Sequence, residues 1–223
     1  MGKNRKCEEA TGVAAPVRKP GRPKVIADDE RRLSIVKGAH AAFVELGFAR
    51  TTTAEVAARA RVSKRSIYEV FVDKTELFAT VIREYQHLVL DLPRPEGEKM
   101  PLLETLIQIF RLDIDDEAEL VREAMLNLIV RESVLFPELA DYLYDHKIIH
   151  SREVLIEWLQ LEMASGRMPG GDPLVYAGML MDIVFGALLP RRSLKQPLER
   201  ARRTEHIKQR LEIFLRGIRS AVS

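Results

Sequence analysis

Apolar residues recur at helical spacing along most of this chain, and short polar clusters punctuate them. Val36, Ala39, Phe43 and Leu46 form one inward stripe. They predict a helix over 28–46, opened by Asp28, Asp29 and Glu30 at its positive end and closed by Gly47 as a left-handed cap. Leu77, Phe78, Val81, Ile82, Tyr85, Leu88 and Val89 predict a long helix from Asp73 to about Leu92, broken by Pro93 and Pro95. Helices follow over 102–112 and 118–134. Another starts at Pro137 and reaches about Ala164 through Leu139, Leu143, Ile148 or Ile149, Leu155, Trp158, Leu159 and Met163, where Gly166 stops it. Asp172-Pro173 reads as an N-cap with proline at the first helical position. The helix it opens, to about Leu189, is apolar almost all round. A last helix spans roughly 198–221, with Ile207, Leu211, Phe214, Leu215 and Ile218 on one side.

The densest punctuation lies between 51 and 75. Thr52 precedes Glu55 by three positions, and Asp73 precedes Glu76 by three; both are capping boxes. Ser63 can cap a third helix that begins Lys64-Arg65-Ser66. The first short helix, about 53–60, turns Val56, Ala57 and Ala60 inward, and small alanines let a second helix cross closely. The next buries Ile67 and Phe71 and leaves Lys64, Arg65, Tyr68 and Glu69 on an outer face. Two short helices, a tight turn and a basic, aromatic face match a helix-turn-helix.

Residues 30 to 78 resemble the DNA-binding domain of the TetR family of bacterial transcription regulators. The matching run is Ala41-Ala42-Phe43, Gly47-Phe48, Thr51-Thr52-Thr53, Glu55-Val56-Ala57, Val62-Ser63-Lys64, Ile67-Tyr68, Phe71, Lys74 and Leu77-Phe78. Two positions depart from it. Arg61 stands where glycine usually precedes the valine of the turn, and Val70 stands where histidine or tyrosine usually precedes Phe71. Further along, Glu132, Phe136-Pro137-Glu138-Leu139, Gly166 and Asp172-Pro173 resemble an AefR-like C-terminal domain.

The resemblance implies an all-α protein. An N-terminal three-helix helix-turn-helix domain (28–75), preceded by an arm (1–27), would be joined by a long helix to a C-terminal ligand-binding and dimerisation bundle (76–223). DNA contacts are expected from Thr53, Ser63, Lys64, Arg65, Ser66, Tyr68 and Lys74. Arg65 is suited to a guanine edge, Tyr68 to a phosphate, and Lys74 to a phosphate at a helix N-terminus. The resemblance also implies a homodimer, with Met179, Ile183, Leu211 and Leu215 on a four-helix seam. Candidates for a pocket are Phe110, Met125, Leu128, Ile129, Phe136, Trp158, Tyr176 and Met179, with Asn127 and Arg131 as its polar groups. Such a lining suits a small hydrophobic effector.

Charge sharpens this picture. Residues 1–75 hold 16 Lys and Arg against 9 Asp and Glu, and the remainder 19 against 24, within an overall formal charge of +2. The basic end is therefore the nucleic-acid end. In the arm, which reads as disordered, Lys19-Pro20-Gly21-Arg22-Pro23-Lys24 resembles an AT-hook and could lay Arg22 in a narrow minor groove; a basic linker adding only phosphate contacts is the alternative. The single cysteine, Cys7, fits a reducing cytoplasm. No apolar run is long enough for a membrane span.

Catalytic signatures are missing from the sequence. His146 and His150 are four apart, a metal-ligand spacing, but no third ligand or acidic base accompanies them. There is no Gly-rich phosphate loop and no nucleophile elbow. The expectation is a regulator without cofactor, metal or enzymatic activity, most simply a repressor released from a double-stranded operator by its effector. Two rivals remain: a small-molecule or acyl carrier with weak DNA binding, suggested by Arg61 and Val70, and a nucleoid-type protein bound mainly through its arm.

Overall fold

A computed structural model describes residues 24–95, 97–188 and 199–220, and the arm with Arg22 lies outside them. Among the described residues there are ten α-helices and no strand. The helices are α1 (Lys24–Arg50), α2 (Thr53–Ala60), α3 (Lys64–Tyr68), α4 (Lys74–Tyr85), α5 (Leu102–Ile109), α6 (Asp116–Leu135), α7 (Pro137–Asp145), α8 (Ser151–Ala164), α9 (Pro173–Leu188) and α10 (Arg200–Ser220).

The expected caps form. Thr52, Ser63 and Asp73 each accept the backbone N–H three residues on, at 3.2, 3.1 and 2.8 Å. Asp115, not singled out in the sequence, does the same at 2.8 Å and starts α6 at Asp116. Both capping boxes, however, are incomplete. Glu55 turns away to Arg59, and Glu76 accepts from Val72 N rather than from the cap residue itself. Gly47 leaves the helix at φ 80°, ψ 169°, so α1 is kinked there, and the buried Thr51 hydroxyl donates back to the Gly47 carbonyl at 2.7 Å.

Three boundaries differ from the sequence reading. The first helix starts at Lys24 rather than 28. The connecting helix ends at Tyr85, not near Leu92, and a 3-10 turn at Gln86–Leu88 follows. Leu88, Val89 and Leu90, in and just after that turn, are all inside, and the N–H groups of Val89 and Leu90 both reach Gln86 O, at 2.9 and 3.3 Å. The helix expected over 137–164 is two. Lys147 takes a left-handed φ of 52°, Ile148 N bonds back to Leu143 O at 2.8 Å, and Ile148 is driven into the core. This is a Schellman-type stop with lysine in glycine's place.

Two hydrophobic clusters result. The first gathers α1–α4 around Phe43, Phe71 and Phe78 and also takes in Met125, Leu128, Leu139, Leu143 and Ile148. It therefore runs across residue 76, where the sequence suggested a boundary. The second packs α5, α8, α9 and α10 around Phe110, Leu155, Leu180 and Leu211. Each fully buried Phe or Leu side chain contributes on the order of 1.5–3 kcal/mol. The α6 helix borders both clusters and fixes the α10 end by charge. Glu119, 3% exposed, accepts from Arg200 Nε and Arg203 Nη2, both at 2.5 Å. Arg122, 1% exposed, donates to the carbonyls of Phe110 (3.0 Å) and Arg111 (2.8 Å) at the end of α5. Removing one member of such a network would strand a buried charge, at roughly 3–5 kcal/mol.

Candidate nucleic-acid interface and effector region

The α2–α3 unit is held against α1 by close backbone approach. A Cβ added at Gly38 would lie 2.8 Å from Ala60 N, so only glycine lets the helices cross here, and Ser34 Oγ donates to Ala60 O at 2.9 Å. The sequence reading credited the α2 alanines and missed Gly38; its spacing on the inward face of α1 was the available signal. The turn forms despite the missing glycine. Arg61 adopts φ 56°, ψ 41°, and the N–H groups of Arg61 and Val62 reach Ala58 O and Ala57 O at 3.3 and 3.0 Å. Val70 is half-buried against the first cluster.

On the outer face, Lys64, Arg65 and Tyr68 are exposed, the Arg65 side chain at 88%. Arg65 Nε donates to Glu69 Oε1 at 3.0 Å, and Tyr68 OH shares a hydrogen bond with Thr53 Oγ1 at 3.2 Å across the two helices. Thr53 and Tyr68 are therefore presented together, two hydroxyls at one spot suited to a phosphate oxygen. Ser63 and Ser66 are coupled to each other at 2.9 Å, and Ser63 also serves as the α3 cap. Lys74 is placed differently from expectation. Its ammonium does not stand free at the N-terminus of α4; it donates to Phe48 O (2.9 Å) and Ala49 O (3.4 Å) and lies 4.4 Å above the Phe48 ring. Burial lowers the Lys74 pKa, opposed by the carboxylate of Glu132.

Glu132 belongs to α6, and it marks where the C-terminal bundle meets the DNA-binding unit. Its side chain is buried, it accepts from Arg131 Nε at 2.7 Å, and a Cβ on Gly47 would come within 3.0 Å of its Oε1. Arg131 Nη2 donates to Phe43 O at 3.4 Å. A run of rings, Phe43–Phe78 (5.0 Å), Phe78–Phe48 (5.3 Å) and Phe48–Phe136 (5.7 Å), extends from α1 to the α6–α7 corner.

The residues expected to line one pocket are not brought together. Met125, Leu128, Ile129 and Phe136 belong to the first cluster; Phe110, Trp158 and Tyr176 belong to the second. Arg131 is tied to α1, Asn127 is half-buried, and Met179 is 46% exposed on α9. Apolar spacing in α6 signalled burial, but not which of two cores each face would meet. Within the second cluster, Phe110 stacks edgewise on Phe185 at 5.8 Å, and the buried Trp158 Nε1 has no hydrogen-bond partner. The seam residues need a similar correction. Leu211 and Leu215 are 0% and 6% exposed within their own chain, because the expected stripe of α10 faces α5 and α9. Ile183 is half-buried, whereas Leu174, Val175 and Met179 on α9 and Ile213 on α10 are outward. His146 and His150 do not share a helix: His146 caps α7, with Nδ1 on Tyr142 O at 2.8 Å, and His150 precedes α8.

No helix of the described residues is long and apolar enough to cross a membrane. The family model for bacterial regulatory proteins of the tetR family matches residues 35–81, and that for the C-terminal domain of AefR-like transcriptional repressors matches residues 120–217. YvkB of Bacillus subtilis, an uncharacterised HTH-type transcriptional regulator, is 22% identical over 185 residues, covering 82% of this chain and 95% of that protein. Among solved structures, a transcriptional regulator from Rhodococcus sp. Rha1 aligns with a TM-score of 0.62 at 18% identity, over 83% of this chain and 96% of that one. The flavonoid-responsive regulator FrrA aligns with a TM-score of 0.56 at 23% identity, over 85% and 97%.

Proposed function

The chain belongs to the TetR family of bacterial transcriptional regulators, and from that premise we propose that it is a homodimeric repressor, released from its operator in the cytoplasm by a small hydrophobic effector. The reading rests above all on the outward face of α3. Lys64, Arg65 and Tyr68 stand exposed on a short helix whose other side, Ile67, is locked into the core. A rigidly held basic and aromatic face of this size fits a major groove, where Arg65 can address a guanine and Tyr68 with Thr53 a phosphate.

One such helix reads few bases, so specificity calls for two copies. The outward apolar residues Leu174, Val175 and Met179 of α9, with Ile213 of α10, suit a self-complementary seam. Release requires an effector that favours one of two conformations. The α6 helix is suited to carry that preference, because its two ends are fixed to α10 by Glu119 and to the Gly47 kink by Glu132. FrrA is named for its response to flavonoids, which fits a small-molecule effector here as well.

The test is selection from random duplex DNA with the full chain, followed by a reporter carrying the selected site. An enriched palindrome with half-sites about 34–36 Å apart is expected, and the reporter should be silenced. Equal retention of all sequences, with binding that only tracks salt, would overturn the reading.

A further inference from the structure

Between the end of α4 and the start of α8 lies a cleft of about 350 Å³, lined by Arg83, Gln86, His87, Leu90, Asp91, Leu92, His150, Ser151 and Val154. Its polar side is rich in donors that the protein leaves unused. The Arg83 guanidinium has no hydrogen-bond or ion-pair partner among the described residues, and neither do the side chains of Gln86 and Ser151. His150 Nδ1 is buried without a partner. His87 donates from Nδ1 to Glu84 O at 2.8 Å, so in the neutral ring its other nitrogen is an acceptor and adds no donor to the cleft. The one acid in the lining, Asp91, is already held by Arg94 at 2.7 Å, with Arg111 at 3.9 Å. The first turn of α8 adds backbone N–H groups that no side chain caps.

An unpaired guanidinium, the unpartnered His150 imidazole nitrogen, a side-chain amide and a hydroxyl around one cleft form a cradle for an oxyanion. The opposite wall is apolar: Leu90 belongs to the second hydrophobic cluster, and Leu92 and Val154 pack against it. We propose that this cleft binds the oxyanion head, a carboxylate or phosphate, of an amphipathic ligand whose apolar tail lies along Leu90, Leu92 and Val154. The site rests on the regulator reading only for its consequence. Arg83 and His87 lie at and just beyond the end of α4, His150 adjoins α8, and a bound anion ties the DNA-binding unit to the C-terminal bundle.

Trp158, the only tryptophan, lies one helical turn beyond Val154 and is buried in the same cluster, so its fluorescence reports on the cleft. The full chain is titrated with octanoate, octan-1-ol and inorganic phosphate. Octanoate is expected to bind at least about tenfold more tightly than octan-1-ol, the discrimination one charge-assisted contact supplies. The combined variant Arg83→Gln, His150→Gln should bring octanoate to the affinity of octan-1-ol and leave octan-1-ol binding and circular dichroism unchanged. Arg83→Lys alone should retain part of the preference. Equal binding of acid and alcohol by the unaltered chain, or a preference that survives in the combined variant, overturns the site. Phosphate that displaces octanoate would identify a free oxyanion as sufficient; displacement only by other carboxylic amphiphiles would identify a head group with its tail. Operator binding is measured separately. A site present without any selected operator sinks the regulator reading alone, and an operator bound without acid preference sinks the site alone.

Discussion

Arg61 occupies a backbone conformation that side-chain-bearing residues adopt at a cost of roughly 1 kcal/mol, at φ 56°, ψ 41°. Glycine is free of that cost but loses more entropy on folding. The expected net effect of Arg61→Gly is a small gain, about 0.5 kcal/mol or less, read as a slightly higher urea midpoint with an unchanged slope. An unaltered midpoint would mean that Arg61 makes a compensating contribution. Arg65 poses the converse question, because its partner Glu69 competes with DNA. An exposed pair of this kind is worth well under about 1 kcal/mol, so the guanidinium is available to a base at little cost. Arg65→Ala is expected to weaken operator binding by about 1–3 kcal/mol and to relax the preference at one base pair of each half-site. Competition against single-base operator variants measures this; an identical preference in the variant would assign Arg65 to the backbone. Lys74 shows how a residue can match a motif and still be placed otherwise, since its ammonium caps the end of α1 rather than standing open to a phosphate.

At the scale of elements, the decisive junction is α6 against the kink of α1. Gly47 lies at φ 80°, ψ 169°, a region essentially closed to other residues, and Glu132 fills the space where a side chain would go. Gly47→Ala is therefore expected to destabilise by about 1–3 kcal/mol. Part of that loss is backbone strain and part is collision with Glu132. In combination with Glu132→Ala the collision is absent, so the double variant should be less destabilised than the two single losses together, by about 0.5 kcal/mol or more. Strict additivity in denaturant unfolding would remove α6 from this junction. Elements whose ends carry chemical punctuation were legible in the sequence: Thr52, Ser63, Asp73 and Asp172 all cap where a side-chain acceptor precedes an apolar period. The break at Lys147 was not legible, because a lysine in the left-handed region leaves no trace in composition. Nor was the early end of α4, because Leu88 and Val89 continue its apolar period past Tyr85. The candidate interface was legible as far as the exposed face of α3, since there the pattern of what is buried fixes what is not. The pocket was not, because apolar spacing reports burial without naming the neighbour.

For the molecule as a whole, the open question is what covers α9. Its inner residues Ala177, Leu180 and Val184 are fully buried in the chain's own second cluster, while Leu174, Val175 and Met179 are 59%, 52% and 46% exposed. Apolar residues at this exposure along one helix, with Ile213 of α10 at 67%, are costly to leave in water and suit a twofold contact. An obligate seam of this kind buries on the order of 2,000 Å² or more. Met179 is the discriminating position. Ile183 is half-buried against its own chain, so a charge there would damage the subunit and the seam together. At Met179 a glutamate is tolerated by the isolated subunit but desolvated against the partner, where two unpaired carboxylates would be buried close together. Met179→Glu is therefore expected to sediment as a folded monomer with an almost unchanged helical spectrum. Specific operator binding should fall by orders of magnitude, because each monomer brings a single α3 to a site built for two. Nonspecific binding should persist, since the basic α2–α3 face is untouched. A stable Met179→Glu dimer with full operator affinity would place the twofold elsewhere on the surface, and α9 would then need another partner.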